Sequence, residues 1–168
     1  MKTTLILTVL LSATTYDLDQ DEQSLRAKQN TIFKIFHANQ TLAEEGHINT
    51  AIVYDTNKEY ADIMSAKLEE RGLNVRTLSV SEFEDEIHNY SAVYFTAEAQ
   101  PDPMLTADNE IISIGENERH FNEGSLSIKF ELVEDEEVMI NVNRDQLSSE
   151  NHQMREKFWN LEKVVITN

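Results

Sequence analysis

The stretch from Asn49 to Val80, NTAIVYDTNKEYADIMSAKLEERGLNVRTLSV, decides the fold of this chain. Its first part, Ala51–Tyr54, is an apolar run that ends abruptly at Asp55, as a buried strand does. Its middle part places apolar side chains at the spacing of one helix face. These side chains are Tyr60, Ile63, Met64 and Leu68. Its last part, Val75–Val80, has strand character again, so the stretch predicts a strand–helix–strand unit in a parallel sheet covered by helices.

Two local patterns mark the ends of that helix. Thr56 and Glu59 have the spacing of a capping box, in which two side chains satisfy backbone N–H groups of the first turn. Gly72 follows the last apolar position of the helix, and glycine adopts the left-handed conformation that closes many helices without steric cost. We therefore expect the helix to begin just after Thr56 and to end at Gly72.

Further elements of the same kind flank this unit. Upstream, Gln23–Leu42 has apolar residues at helical spacing and predicts an amphipathic helix before the first strand. Downstream, the sequence predicts, in chain order, a helix at Glu82–Asn89 with a capping box of Ser81 and Glu84, a strand at Ser91–Thr96, one or two helical turns at Pro103–Ala107 and a strand at Glu110–Gly115. The strand at Ser91–Thr96 is apolar throughout, as expected of a strand that is buried on both faces.

The pattern changes in the last third of the chain. Ile128–Leu132 and Val138–Val142 both place an apolar side chain at every second position, and the charged turn Glu134–Glu137 separates them. They predict an antiparallel hairpin with one solvated face at an edge of the sheet. Apolar residues from Leu147 to Val165 then recur at helical spacing and predict a terminal helix. The predicted fold class is α/β, a mostly parallel sheet flanked by helices with a C-terminal antiparallel hairpin and a terminal helix.

The first residues, MKTTLILTVLLSA, have the layout of a secretory signal, with one lysine, an apolar run and then small residues. A first β-strand is the alternative, because Leu, Ile and Val also suit strands. The acidic, turn-like segment Tyr16–Glu22 that follows favours the signal. We predict a signal peptide over residues 1–15, an acidic linker over 16–22 and a single domain over 23–168. The apolar run is too short to span a bilayer, which takes roughly 20 residues, so we expect no direct membrane insertion.

The charge and cysteine content exclude several classes of function. The net charge is −17, with 14 Lys and Arg against 31 Asp and Glu in 168 residues. Phosphate backbones and anionic lipids would be repelled, so we expect no nucleic-acid partner. The chain has no cysteine, which excludes disulfides, thiol catalysis and thiolate metal sites.

Ligands of open α/β sheets usually bind in the crevice at the carboxyl ends of the strands. The residues predicted to line such a crevice are Asp55, Thr56, Thr96 and Gly115. The sequence contains no glycine-rich dinucleotide fingerprint, no phosphate-binding loop and no nucleophile elbow. The five histidines are scattered through different segments. We therefore expect no catalytic residue, no metal ligand and no cofactor, with an enzyme of unfamiliar site design as the open alternative.

Several segments, in this order, resemble the YfiR-like family of small exported bacterial proteins. They are the aromatic helix IFKIFH (Ile32–His37), the strand–helix–strand from TAIVYD to LNVRTLSV, the strand SAVYFT, the strand IISIG, a glycine at Gly124, a hairpin that leads into an Ile140–Asn141 pair, and a C-terminal segment from Leu147 to Val165. The hairpin followed by Ile–Asn and the C-terminal segment is the most specific part. The chain is identified as a distant member, since it lacks the Trp–Pro that family members often carry after the first helix.

The resemblance implies a periplasmic, non-enzymatic regulator. Such a protein binds the periplasmic sensor domain of a membrane-bound diguanylate cyclase and holds it inactive, which lowers cyclic-di-GMP and biofilm formation. The resemblance also implies a possible homodimer. From the residues alone, the alternative is a small-ligand-binding α/β module that uses the crevice of Asp55, Thr56, Thr96 and Gly115.

Overall fold

The computed structural model describes residues 23–133, 138–161 and 163–167. The predicted signal peptide, the acidic linker and the charged turn Glu134–Glu137 lie outside the described residues. The helices are residues 23–38 (α1), Gln40–Glu45 (α2), Lys58–Glu69 (α3), Val80–Glu86 (α4), Pro103–Asp108 (α5), Glu118–Asn122 (α6), Arg144–Ser149 (α7) and Glu156–Trp159 (α8), with a 3₁₀ turn at Ile87–Asn89. The strands are Asn49–Tyr54 (β1), Asn74–Ser79 (β2), Ala92–Phe95 (β3), Ile112–Gly115 (β4), Ile128–Leu132 (β5), Val138–Asn143 (β6) and Val164–Thr167 (β7).

The described residues form one seven-stranded sheet in the order β2-β1-β3-β4-β5-β6-β7. Neighbouring strands are parallel except β5 and β6, which are antiparallel. This arrangement confirms the predicted α/β class, with a mostly parallel sheet, flanking helices and a C-terminal hairpin.

Helices cover both faces of the sheet. Neighbouring residues of a strand point to opposite faces, and the core accordingly divides into two clusters. One cluster joins α1, α3 and α8 to the sheet and includes Ile32, Phe36, Ile52, Met64, Leu68, Tyr94, Ile112, Phe130 and Phe158. The other joins α4 and α6 to the opposite face and includes Val53, Leu78, Phe83, Val93, Phe95, Phe121 and Leu126.

The predicted strand–helix–strand unit is present, but its helix starts one residue later than expected. Asn57, not Thr56, is the N-cap, and its side chain accepts a hydrogen bond from the Tyr60 N–H at 3.0 Å. Asparagine is among the strongest N-cap residues, so it displaces the neighbouring threonine. At the other end Gly72 has φ +86° and the Leu73 N–H donates to Leu68 O, as predicted for a glycine-closed helix.

The second predicted capping box, Ser81 with Glu84, is wrong by two residues. The box is formed by Ser79 and Glu82, with the Ser79 N–H donating to Glu82 Oε2 at 2.8 Å. The reason is that β2 runs directly into α4, so the last residue of the strand is also the cap of the helix.

The upstream helix is also shorter than predicted. The run expected over Gln23–Leu42 is broken at Asn39, which has an extended conformation and caps α2 by accepting from the Leu42 N–H. Asparagine side chains compete for backbone N–H groups and so favour such breaks.

The C-terminal part differs most from expectation. The hairpin is not at an edge, because β7 adds a further strand beyond β6. The long helix predicted over Leu147–Val165 is instead α7, α8 and β7. Asn151, at φ +57°, interrupts the helical path after α7. The β-branched run of β7 then favours a strand.

The polar side of β5 is solvated as predicted at Glu131, which is exposed, but not at Lys129. Lys129 is buried, with its Nζ 2.9 Å from Glu131 Oε2 and 5.8 Å from the Phe121 ring centroid. Phe121 belongs to α6, which covers this face of the strand.

The chain between α7 and α8 closes against the junction of α1 and α2. The Arg155 N–H donates to Ala38 O at 2.9 Å. His152 is buried there, with Nδ1 3.2 Å from Asn39 Nδ2 and Nε2 3.0 Å from Glu110 O. These contacts attach α1 to the rest of the domain.

Candidate functional site

The structure brings the predicted crevice residues to one end of the sheet. The register pairs Val53 with Phe95 and Phe95 with Gly115, so β1, β3 and β4 end side by side. Asp55 and Thr56 follow β1 and are exposed. Thr96 follows β3 and, like Gly115, is buried. The proposed crevice therefore has an exposed part and a buried part, and its role in ligand binding stays a prediction.

Packing accounts for the glycine at position 115. A Cβ atom there would lie 2.9 Å from Leu126 Cδ1, closer than real Cβ contacts, and 3.3 Å from Phe95 O, which is a tight contact. Leu126 belongs to the core on the α6 face. The glycine thus permits close packing between β4 and its neighbours.

Thr96 is the unusual member of the predicted set. Its N–H donates to Val53 O at 2.9 Å, which continues the ladder beyond β3. Its hydroxyl is buried and has no hydrogen-bond partner among the described residues. A buried polar atom without a partner costs free energy, so it is an observation that calls for a ligand or a solvent molecule.

A polar cluster lies at the same end of the sheet, on the face that α1 and α3 cover. Glu116, directly after β4, accepts a hydrogen bond from the Tyr94 hydroxyl and another from the Tyr60 hydroxyl at 3.3 Å. Lys28 of α1 places its Nζ 2.7 Å from Glu116 Oε2. Lys28 also lies over the Tyr60 ring, 5.5 Å from the centroid. We call Lys28, Tyr60, Tyr94 and Glu116 the carboxyl-end cluster.

The electrostatics of the carboxyl-end cluster favour a fixed protonation state. Burial, followed by the charge of Glu116, raises the pKa of Tyr94 well above its ordinary value. The same two causes raise the pKa of Tyr60. Burial acts to lower the pKa of Lys28, but Glu116 and Tyr60 outweigh it and raise that pKa. With pKa values raised in this way, both phenols are protonated and the ammonium is charged at neutral pH. The ion pair and the hydrogen bonds of the cluster join α1 and α3 to the sheet.

The contacts of this cluster are not predicted by the sequence. Lys28, Tyr60 and Tyr94 come from α1, α3 and β3, and only the tertiary fold brings them to Glu116. A usable indication was the tyrosine inside the apolar strand SAVYFT, because a buried phenol needs a hydrogen-bond partner. The His, Asp and Glu side chains of the described residues form no group of three or more that could hold a metal ion.

A second candidate site is the open edge of β7. Within the described part of the chain β7 pairs only with β6. Val165 and Ile166, which point to opposite faces, are both exposed, and Leu161 just before them is 50 % exposed. No charged residue lies within Val164–Thr167. We call Leu161 together with Val164–Thr167 the β7 edge.

The backbone at the β7 edge is also available for pairing. The Ile140 N–H donates to Lys163 O at 2.9 Å, and the register pairs Ile140 with Val164. Because a parallel ladder uses alternate residues of a strand, Ile166 directs its N–H and C=O away from β6. An extended segment of another chain could accept and donate hydrogen bonds there.

The opposite edge of the sheet, β2, is protected. Arg76 lies in the middle of β2 and forms an ion pair with Glu86 at 2.5 Å, and the Asn74 side chain donates to Asn49 Oδ1 at 2.6 Å. Charged side chains on an edge strand oppose pairing with other strands. Among the described strands, the edge strand β2 therefore carries a charged side chain, whereas the residues of β7, Val164–Thr167, carry none.

Two sequence comparisons with known proteins give no relative for this chain. No protein-family model matches it, and no curated protein matches it. None of the helices in the described residues combines the length and the apolar character needed to cross a bilayer.

Proposed function

We propose that this protein is a periplasmic, non-enzymatic regulator that binds the sensor domain of a membrane-bound diguanylate cyclase and represses it. The proposal combines the resemblance to the YfiR-like family with one structural observation, the uncharged and apolar β7 edge. Soluble proteins normally block such an edge, and within residues 23–133, 138–161 and 163–167 a charged side chain blocks β2, whereas β7 itself contains none.

The partner would add a strand beside β7. Backbone hydrogen bonds to Ile166 would provide part of the affinity, and the side chains of Val165, Ile166 and Leu161 would select the apolar residues of the partner strand. A regulator that binds only the inactive conformation of a sensor shifts its population toward that conformation. Release of the regulator then restores cyclase activity.

The carboxyl-end cluster supports a binding role over an enzymatic one. Its carboxylate, ammonium and phenols are paired with one another, and these pairs join helices to the sheet. A protein-binding surface on a rigid scaffold has less conformational freedom to lose on binding, so these contacts favour binding.

The direct test is binding to the purified periplasmic domain of a membrane-bound diguanylate cyclase from the same organism, measured by calorimetry. Ile166→Pro removes the outward N–H of β7 without removing a hydrogen bond to β6, and we expect it to weaken binding about tenfold or more. Ile166→Lys adds a charge to the same edge and should have a similar effect.

The matched control is Ile63→Lys on α3. Ile63 is 44 % exposed and Ile166 is 39 % exposed, so both changes remove a similar apolar surface. Equal binding by the Ile63 and Ile166 variants, or no binding by the unaltered protein, would overturn the proposal. Sedimentation of the same variants identifies the other possible occupant, since Ile166→Pro would convert a homodimer built on β7 into monomers.

The export part of the proposal has a separate test. Mass spectrometry of the protein recovered from the periplasm should show an N-terminus near residue 16. Recovery of the full-length chain from the cytoplasm alone would contradict the periplasmic location.

The second candidate function is a small-ligand-binding module at the carboxyl ends of the strands. The observation in its favour is the buried Thr96 hydroxyl, which has no partner among the described residues. A thermal-shift screen of amino acids, nucleotides and sugar phosphates tests it, because a ligand at a hundredfold its Kd adds about 2.7 kcal/mol of stability. Thr96→Val should abolish the shift produced by a ligand bound there and leave the free protein folded.

A further inference from the structure

A cavity separate from both sites described above lies between α1 and α3. Its volume is about 320 Å³. The residues that line it are Leu25, Arg26 and Gln29 of α1, Lys67 near the end of α3, and Glu70 and Arg71 just beyond it. The volume lies at the low end of the range of ligand pockets, roughly 300–1,000 Å³, so the cavity suits a small ligand.

The charge of the lining is opposite to that of the protein. Three cationic side chains and one carboxylate line the cavity, whereas the whole chain has 14 Lys and Arg against 31 Asp and Glu. The carboxylate, Glu70, forms an ion pair with Lys67 at 3.0 Å, and both side chains are about half exposed. Such a solvated pair holds its partners weakly and can rearrange around a ligand.

Arg71 is held in position without a carboxylate. Its guanidinium lies 5.9 Å from the centroid of the Phe33 ring on α1. Within the described residues Arg71 forms no ion pair. This guanidinium lies beside an aromatic ring and pairs with no carboxylate of the described residues. It is therefore suited to the planar, bidentate recognition of an oxyanion.

Gln29 gives independent evidence for a ligand. Its side chain is 3 % exposed, and its amide nitrogen has no hydrogen-bond partner among the described residues. Leaving a buried donor unpaired costs about 1–3 kcal/mol. The terminal torsion of a glutamine amide is broad, so a small rotation can direct the NH₂ group toward an acceptor in the cavity.

The position of Lys67 and Arg71 has a simpler partial explanation. Both lie at the C-terminus of α3, where cations interact favourably with the helix dipole. That explanation does not account for the buried amide nitrogen of Gln29 on the facing helix, which has no hydrogen-bond partner among the described residues. The buried amide donor and the cationic side chains beside it in the same cavity favour an anionic ligand.

We propose that this cavity binds a small phosphate-bearing anion, either inorganic phosphate or a phosphate monoester. The dianion would accept hydrogen bonds from the Arg71 guanidinium and the Gln29 amide, with Lys67 and Arg26 adding positive charge. Bound in this way, it would bridge α1 and α3. The proposal is independent of the β7 edge and of any partner there.

The test is calorimetric titration of the full chain with inorganic phosphate and with glycerol 3-phosphate at constant ionic strength. Sodium chloride and malonate, a dicarboxylate of similar charge, serve as comparison ligands. We expect both phosphates to bind, and the tighter of the two identifies the natural source. Binding of malonate in preference to phosphate, or equal heats with chloride, would overturn the assignment.

Three variants localise the site. Arg71→Gln should weaken phosphate binding about tenfold or more, because it removes a charge-assisted bidentate contact. Arg119→Gln removes an equal charge from an exposed, distant helix and should leave binding unchanged. Equal losses in these two variants would show non-specific charge attraction and would overturn the site.

Gln29→Met separates a ligand-binding role from a structural one. Because the amide nitrogen has no partner in the fold, the variant should be at least as stable as the unaltered protein. Its phosphate binding should nevertheless be weaker. Unchanged phosphate binding in a stable Gln29→Met protein would overturn the assignment of Gln29 and, with it, the argument for the site.

Discussion

Lys28 on α1 forms an ion pair with Glu116 at the carboxyl end of β4, with 2.7 Å between Nζ and Oε2. The two side chains are only 17 % and 21 % exposed. The pair attaches α1 to the end of the sheet, and the Tyr94 and Tyr60 hydroxyls complete the coordination of the carboxylate. It is therefore a structural contact whose contribution can be measured.

Replacement of Lys28 by Met should lower the free energy of unfolding by about 2 kcal/mol, between the values for exposed and fully buried ion pairs. The cause is that Glu116 loses its counter-charge in a partly buried position. Urea denaturation measures the effect. Lys58→Met, at an exposed pair with Asp62, is the matched control and should leave the free energy of unfolding nearly unchanged. Similar costs for both variants would contradict the structural role of the Lys28 pair.

His152 should make the fold sensitive to mild acid. Burial lowers the pKa of His152, although the Glu110 carbonyl and charge act against that effect. The unfolded chain therefore takes up the proton first. Stability should fall as the pH drops below about 6.5, by at most about 1.4 kcal/mol per pH unit.

The measurement for His152 is urea denaturation at several pH values between 5 and 8. His152→Gln should remove this part of the pH dependence, whereas the same change at His37, which is exposed, should keep it. Parallel pH profiles of the His152 variant and the unaltered protein would refute the assignment.

Glu150 should have the opposite dependence on pH. It is fully buried and accepts from the Ser113 N–H at 3.1 Å and from Gln146 Nε2 at 3.1 Å. Burial raises the pKa of Glu150, while hydrogen bonds from Ser113, Ser127 and Gln146 act to lower it. With a raised pKa in the fold, Glu150 contributes stability that grows as the pH falls through that pKa toward the unfolded value near 4.5.

Two substitutions at Glu150 separate its charge from its hydrogen bonds. Glu150→Gln should abolish the stabilisation on acidification. Glu150→Ala should cost about 3 kcal/mol at neutral pH, because the Ser113 N–H loses its acceptor inside the protein. A loss below about 1 kcal/mol for the alanine variant, measured by urea denaturation, would count against these contacts.

Gly115→Ala should destabilise the protein by about 2 kcal/mol, the cost of overpacking a core. The added Cβ would be 2.9 Å from Leu126 Cδ1. Leu126→Val removes that atom, so the double variant should cost less than the sum of the two single variants. Strict additivity in thermal unfolding would show that the contact with Leu126 is not the reason for the glycine.

The sequence predicted the first four strands because local information determined them. Apolar runs such as Ala51–Tyr54 and SAVYFT end at polar or turn residues, and Gly72 closes the helix between two of them. The cap positions were wrong by one or two residues because Asn57 and Ser79 are as competent as the residues chosen.

The C-terminal part could not be predicted in the same way. Leu147, Met154 and Phe158 have helical spacing, but they reach one core cluster from separate segments around a break at Asn151. The spacing of apolar residues in the sequence cannot distinguish one long helix from several short elements that pack on the same core. The β-branched run Val164–Ile166 was the available indication of a strand.

The candidate sites depend on tertiary contacts more than on motifs. Asp55, Thr56, Thr96 and Gly115 were placed at the correct end of the sheet because parallel strands end together. The pairing of Lys28 with Glu116, the open β7 edge and the charged cavity required knowledge of which elements are neighbours. No short-range pattern contains that knowledge.

The contact between Asn39 and His152 joins positions 113 residues apart in the chain. During synthesis at the ribosome, the junction of α1 and α2 emerges early but cannot form this contact until nearly the whole polypeptide has been made. Fragments that stop at the end of α7 should therefore leave the junction of α1 and α2 without this contact, even where Lys28 already pairs with Glu116. This step of folding can therefore occur only after nearly the whole chain has been synthesised.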